Sequence, residues 1–161
     1  MGDNPGLSPV VALAQTPAPP PPAPPAPAYG LGIGFDAAKK ALAAAEAKKN
    51  NWTVAIAIVD SSAKLAAFSK MDGTQHASVD IAIGKAVTAN NFKRPTKALQ
   101  DGIAQGGVNL RILGQPGVTP LEGGVPIVVD GKIVGAIGAS GVMSSQDAEI
   151  AMAGAAAAAA K

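Results

Sequence analysis

Apolar positions along this chain change period several times, and each change marks an element. Phe35, Ala38, Leu42 and Ala45 fall on one helical face with lysines elsewhere. Asp36 can cap this helix, which runs to about Lys49 before Asn50-Asn51 stops it. Trp52 to Asp60 then reads as a strand that is apolar on both faces, the pattern of a central strand. Asp60-Ser61-Ser62-Ala63 turns the chain, and Lys64 to Met71 returns as a second strand. The short loop makes an antiparallel hairpin the simplest pairing.

A helix follows from about Ala77 to Asn91, with Val79, Ala82, Ile83, Ala86 and Asn90 on one face. Pro95 and Thr96 open another, to about Ala104, and Gly106-Gly107 ends it. Val125 to Val129 and Lys132 to Ser140 form a second hairpin around the turn signal Asp130-Gly131. Ser144 or Ser145 caps a last helix, with Asp147 and Glu149 in its first turn suiting the helix dipole. That helix runs into the alanines 155–160. Neither hairpin alone serves a parallel βαβ sheet. The pattern predicts an α+β domain: one antiparallel sheet with helices on its faces.

The front of the chain reads differently. Pro17 to Pro27 contains only proline and alanine, which favours polyproline II, a semi-rigid spacer. It serves either as a stalk or as a preordered docking arm. Upstream, Ala12-Leu13-Ala14 has the small-x-small form of a signal cleavage site. The positive stretch expected before such a site is missing, since Met1 to Ser8 carries only Asp3. Export, to the periplasm or outside the cell, is the expectation. Residues 1–34 are taken as signal remnant and arm, and residues 35–161 as the folded domain. Gly30-Leu31-Gly32-Ile33-Gly34 follows polyproline rather than a strand, so it is no dinucleotide fingerprint, and no Gly-Lys-Ser/Thr P-loop occurs.

Composition narrows the chemistry. Apolar residues make up 48% of the 161, but aromatics only 3%, so an Ala/Val/Ile core must bring backbones close, as 19 glycines permit. The net charge is +2 with scattered basic residues and few stacking platforms, which argues against nucleic acid. Without cysteine there is no disulfide, thiolate zinc site or cysteine nucleophile. No apolar run reaches the ~20 residues of a membrane helix.

Several stretches together resemble the GlcG/HbpS-like family of haem-binding or haem-degrading-type domains. They are Met71-Asp72-Gly73, Ser78 to Ala82, Lys85-Ala86-Val87-Thr88-Ala89, Phe92-Lys93-Arg94-Pro95-Thr96, Glu122 to Ile127, and Asp130 to Gly138. Ser140-Gly141 and Gln146-Asp147 fit too. Order and spacing carry the resemblance, from about Asp36 to Gly154. It implies a profilin-like three-layer α/β/α domain with a five-stranded antiparallel sheet. It also implies homo-oligomers from dimers to octamers or larger, and haem as a cofactor. Thr88 and Thr96 match family threonines implicated in haem contact, and Lys85 lies in the same stretch. The proline-rich arm is outside the family pattern.

The candidate ligand residues each have a plainer alternative. His76, the single histidine, is the best axial ligand for haem iron and stands at a helix start; a solvated loop histidine is the alternative. Lys93, Arg94 and Lys97 form a basic group suited to haem propionates or another small carboxylate, Arg94 bidentately, unless they are only an exposed helix start. Thr88 is otherwise a helix-interior hydroxyl and Thr96 an N-cap. Gly123-Gly124 imply unusual backbone angles beside a pocket, or an ordinary bend into a strand. Glu122 can act as acid or base, but no second carboxylate is placed to pair with it. Gly138-Ala139-Ser140-Gly141-Val142 lacks the second glycine of a nucleophile elbow.

The leading expectation is an exported homo-oligomeric binding protein for haem, a related tetrapyrrole or a small carboxylate, more a binder than an enzyme. One alternative is a self-assembling structural protein whose arm docks on neighbouring subunits. Another is an enzyme acting on a small hydroxy or keto acid.

Overall fold

The computed structural model describes residues 24–48 and 50–160. The Ala-Leu-Ala pattern, most of the Pro/Ala stretch and Lys49 lie outside the described residues. The elements are β1 (Ala28–Tyr29), α1 (Phe35–Lys48), β2 (Ala55–Asp60), β3 (Leu65–Lys70), α2 (Ala77–Phe92), α3 (Thr96–Gln105), a 3-10 helix (Gly107–Gly114), β4 (Gly124–Val129), β5 (Lys132–Ser140) and α4 (Ser144–Ala159).

The five described strands join one sheet. β5 is central, with β4 antiparallel on one edge and β2 antiparallel on the other; β3 forms the hairpin with β2. The sheet is mixed, not wholly antiparallel as expected. The pairing of β2 with β5 ends at Gly135, while β4 still holds the opposite edge at Lys132 and Ile133. The edge left open there is taken by β1, which runs parallel to β5 with Ala28 opposite Lys132 and Tyr29 opposite Ile133. So the fifth strand comes from within residues 1–34, where two residues after a proline run show no alternation to read. The attachment continues past it: Gly30 N donates to Ile133 O at 2.8 Å and Ile33 N to Val134 O at 2.7 Å. Tyr29 Oη donates to Asn90 O at 2.8 Å, and Lys93 Nζ stands 4.3 Å from the Tyr29 ring centre.

The period-two alternation of β2 sorts the layers. Val54, Ile56 and Ile58 pack with Ala38, Ala41 and Ala45 of α1 and with Ile150, Ala151 and Ala155 of α4. Ala55, Ala57 and Val59 pack on the other face with Ala82, Ala86 and Ala89 of α2. One face is therefore built from isoleucine and the other mostly from alanine. The alanine side lets α2 come very close to the sheet. A Cβ on Gly138 would lie 2.6 Å from Ala86 N and would run into the carbonyl of Ala82, so only glycine fits there.

Helix ends depart from expectation in three places. Met143, not Ser144 or Ser145, occupies the N-cap of α4, and Gln146 Oε1 accepts from Met143 N at 3.2 Å. Asp36 sits inside the first turn of α1, where it complements the dipole, rather than before it. Thr96 is the first helical residue of α3 and Pro95 its N-cap, so the Thr96 hydroxyl is free to bond elsewhere.

Candidate functional site

Lys85 projects from the buried side of α2, the stripe Ala82, Lys85, Ala86 and Ala89. Its stem passes Gly138, where a Cβ would lie 3.1 Å from Lys85 Cβ. Its ammonium ends against Gly123, 2.9 Å from where a Cβ would be. There Lys85 Nζ donates to Asp147 Oδ2 at 2.7 Å and to Ala139 O at 2.9 Å. The two side chains are only 2% and 3% exposed. Burial pushes the Asp147 carboxyl above its ordinary range; the hydrogen bond and charge of Lys85 and the Val142 and Gly141 amides pull it down without offsetting that. The pair joins α2 to the first turn of α4 across the end of the sheet. Gly123, at φ +120°, passes over it because no side chain fits.

The hydroxyls expected to face a ligand act as struts as well. Gly124 N donates to Thr96 Oγ1 at 2.9 Å, and that hydroxyl donates back to Gly124 O at 3.4 Å. Thr119 N donates to Thr88 Oγ1 at 2.9 Å, and Glu122 N to Gln100 Oε1 at 2.8 Å. The segment from Thr119 to Gly124 is thus tied to α2 and α3 at three points. Lys85, Thr88, Thr96, Gly123 and Gly124 do converge, but what they build is this buried framework.

Two cavities open beside it. The smaller, about 250 Å³, has Glu122, Gly123 and Gly124 on one side and Pro95, Ala148 and Met152 on the others. Lys97 stands at its edge, already paired with Asp101 at 2.9 Å. The larger, about 440 Å³, lies between the end of α2, α3 and the 3-10 helix. Phe92, Leu99 and Ile112 give it apolar walls, and Arg94, Arg111 and Asn109 give it polar ones.

The expected basic group therefore divides three ways: Lys93 to the Tyr29 ring, Arg94 to the larger cavity, and Lys97 to Asp101. The cause is local. Lys93 closes α2 in the left-handed conformation, φ 54°, and Pro95 follows, so successive side chains leave in different directions. His76 is exposed at the N-cap of α2 and lines neither cavity. Arg111 was not foreseen. It lies in a run, Gly107 to Gly114, with neither helical nor strand period, and only the flanking glycines marked it.

Residues 33–156 match the family model described as "Haem degrading protein HbpS-like". Protein GlcG of Escherichia coli K12 is 43% identical over 95 residues, 59% of this chain and 69% of GlcG. The crystal structure of a double mutant of HbpS from Streptomyces reticuli superposes with a TM-score of 0.69 at 33% identity, covering 87% of this chain and 97% of that one. A crystal structure of a PduOC:haem complex superposes with a TM-score of 0.72 at 27% identity, covering 79% and 95%.

Proposed function

Because this chain belongs to the HbpS-like family, we propose that it binds haem or a related tetrapyrrole, as a homo-oligomer outside the cytoplasm. The observation that carries the proposal is the larger cavity. A tetrapyrrole presents a flat apolar ring and an edge with two propionates. Phe92, Leu99 and Ile112 suit the ring, and the guanidiniums of Arg94 and Arg111 suit the carboxylates. PduOC, a protein of the same fold, has been crystallised as its haem complex, which supports the reading. Bound haem would supply an iron centre open to axial ligation. Within one chain, His76 is not part of the wall of either cavity.

The test is a haemin titration of purified protein followed in the Soret region. A saturable shift with one haem per chain is expected, and its absence rejects haem as the ligand. His76→Ala separates the axial bond from the site: an unchanged Soret spectrum removes His76 as the iron ligand and leaves the cavity standing. Light scattering gives the mass of the assembly, and a monomer at working concentration rejects the oligomer. Fractionation of expressing cells reports on export, and retention in the cytoplasm rejects it.

A further inference from the structure

We infer that the larger cavity is a clamp for paired carboxylates, with Arg94 as its fixed jaw and Arg111 on a hinged one. The inference takes that cavity as the ligand site but does not require the ligand to be a tetrapyrrole.

Charge comes first. Both guanidiniums line the cavity, and among the described residues no carboxylate does. Arg94 Nε donates to Phe92 O at 3.1 Å, which leaves its two terminal nitrogens without an acceptor among the described residues. The Arg111 side chain makes no hydrogen bond or ion pair among the described residues. A guanidinium cannot shed its proton, so two arginines lining one cavity give it a permanent preference for anions. Each forks onto one carboxylate, so a ligand carrying two is favoured over a ligand carrying one.

The backbone explains how the clamp closes. Arg94 follows the end of α2, which the Tyr29 and Asn90 contacts secure. Arg111 lies in the 3-10 helix, which has no buried residue. Runs of 3-10 helix longer than about 3–4 residues are uncommon and often mark hinges, and this one spans eight. Gly106 precedes it, Gly107 opens it and Gly117 follows it, at φ 72°, 61° and 74°. A Cβ at any of them would meet nothing within 4 Å, so these glycines serve backbone angle rather than space. A segment with so little burial opens at low cost, and a ligand bridging Arg94 to Arg111 holds it closed against α3.

The probes are metal-free mesoporphyrin, its dimethyl ester and glutarate. Without iron, axial ligation plays no part. The diacid should bind at least about tenfold more tightly than the diester, the low end of what one charge-assisted hydrogen bond contributes. Arg94→Ala and Arg111→Ala should each lower that preference, and the double variant should abolish it. Arg111→Lys, which keeps the charge but loses the fork, should keep only part of it. Amide exchange over residues 107–117 should slow when the diacid is bound. Both arginines are exposed, so the variants should fold, and circular dichroism checks this. Equal binding of diacid and diester overturns the clamp while leaving tetrapyrrole binding intact. Glutarate binding that both alanine variants abolish, with no porphyrin binding, sustains the clamp and rejects the tetrapyrrole. If no probe binds, both fall.

Discussion

Replacing Lys85 with methionine tests the central strut. Methionine keeps most of the stem's volume but removes the ammonium, so two hydrogen bonds disappear, one to Asp147 at 2.7 Å and one to Ala139 O at 2.9 Å. Asp147 is left 3% exposed with only backbone donors. Removing one partner of a buried pair costs about 3–5 kcal/mol, because the other charge loses its compensation. For a domain of this size that is a fall of roughly 10–15 °C in Tm. The defect must also depend on pH. Asp147 already has a raised pKa in the folded state, so the protonated form is favoured by folding and ionisation weakens it. Stability from this group is present in acid and is lost as pH rises through the folded pKa. Without Lys85 that pKa climbs further, so Lys85→Met should lose more stability in mild base than in mild acid. The assay is urea unfolding at one fixed protein concentration, followed by Trp52 fluorescence and by circular dichroism. Lys85→Met with Asp147→Asn removes the stranded charge and keeps an acceptor for Val142 N, so it should recover most of the loss. A single-variant loss below about 1 kcal/mol that does not change with pH would refute the reasoning.

Three further outcomes follow from the same contacts. Gly138→Ala, whose Cβ would press on the backbone of α2, should cost at least about 1–3 kcal/mol, whereas Gly114→Ala, with open space around it, should be neutral or slightly stabilising in thermal melts. Thr96→Val leaves Gly124 N without its acceptor inside the protein and should cost about 1–3 kcal/mol; Thr96→Ser, which keeps the hydroxyl, should stay near the parent in chemical denaturation. Tyr29→Phe removes the bond to Asn90 O and should cost about 0.5–1.5 kcal/mol, with faster amide exchange confined to Gly30 and Ile33 if β1 is a local latch.

Where periodicity was strong, the sequence was readable. Lys132 to Ser140 is β5 residue for residue, and α2 differs from its expected span only at Phe92. β1 was not readable, because two residues carry no period and their partner edge exists only after β2 has ended. The candidate site divides in the same way. Gly123, Gly124, Thr88 and Thr96 were singled out from their residue types and the family resemblance, and they do meet. Their role as struts depends on how near α2 lies to the sheet, which no single residue states. A clue to that role was present all the same. Lys85 falls in the stripe Ala82, Lys85, Ala86 and Ala89, where a lysine among alanines on a packed face requires a buried partner. Asp147, read only as a dipole-complementing acid, is that partner. Arg111 could not be assigned, because cavities made by aperiodic segments form only when those segments fold back on a helix.

The alanine layer links these features. Ala55 and Ala57 on β2 face Ala82, Ala86 and Ala89 on α2, and these short side chains set the distance between helix and sheet. That distance lets Lys85 reach Asp147 past Gly138, and beside it Thr88 accepts from Thr119 N. Those two ties fix the path of Thr119 to Gly124. That path in turn anchors α3, through Thr96 to Gly124 and Gln100 to Glu122. α3 supplies Leu99, one wall of the larger cavity, and is the surface on which the 3-10 helix rests. A larger residue at Ala57 or Ala86 would lift α2 and loosen each of these ties in turn. Its effect would reach Arg94 and Arg111 without touching either. The larger cavity is thus held in place by a layer of methyl groups between α2 and the sheet, the part of the sequence that carries the least chemistry.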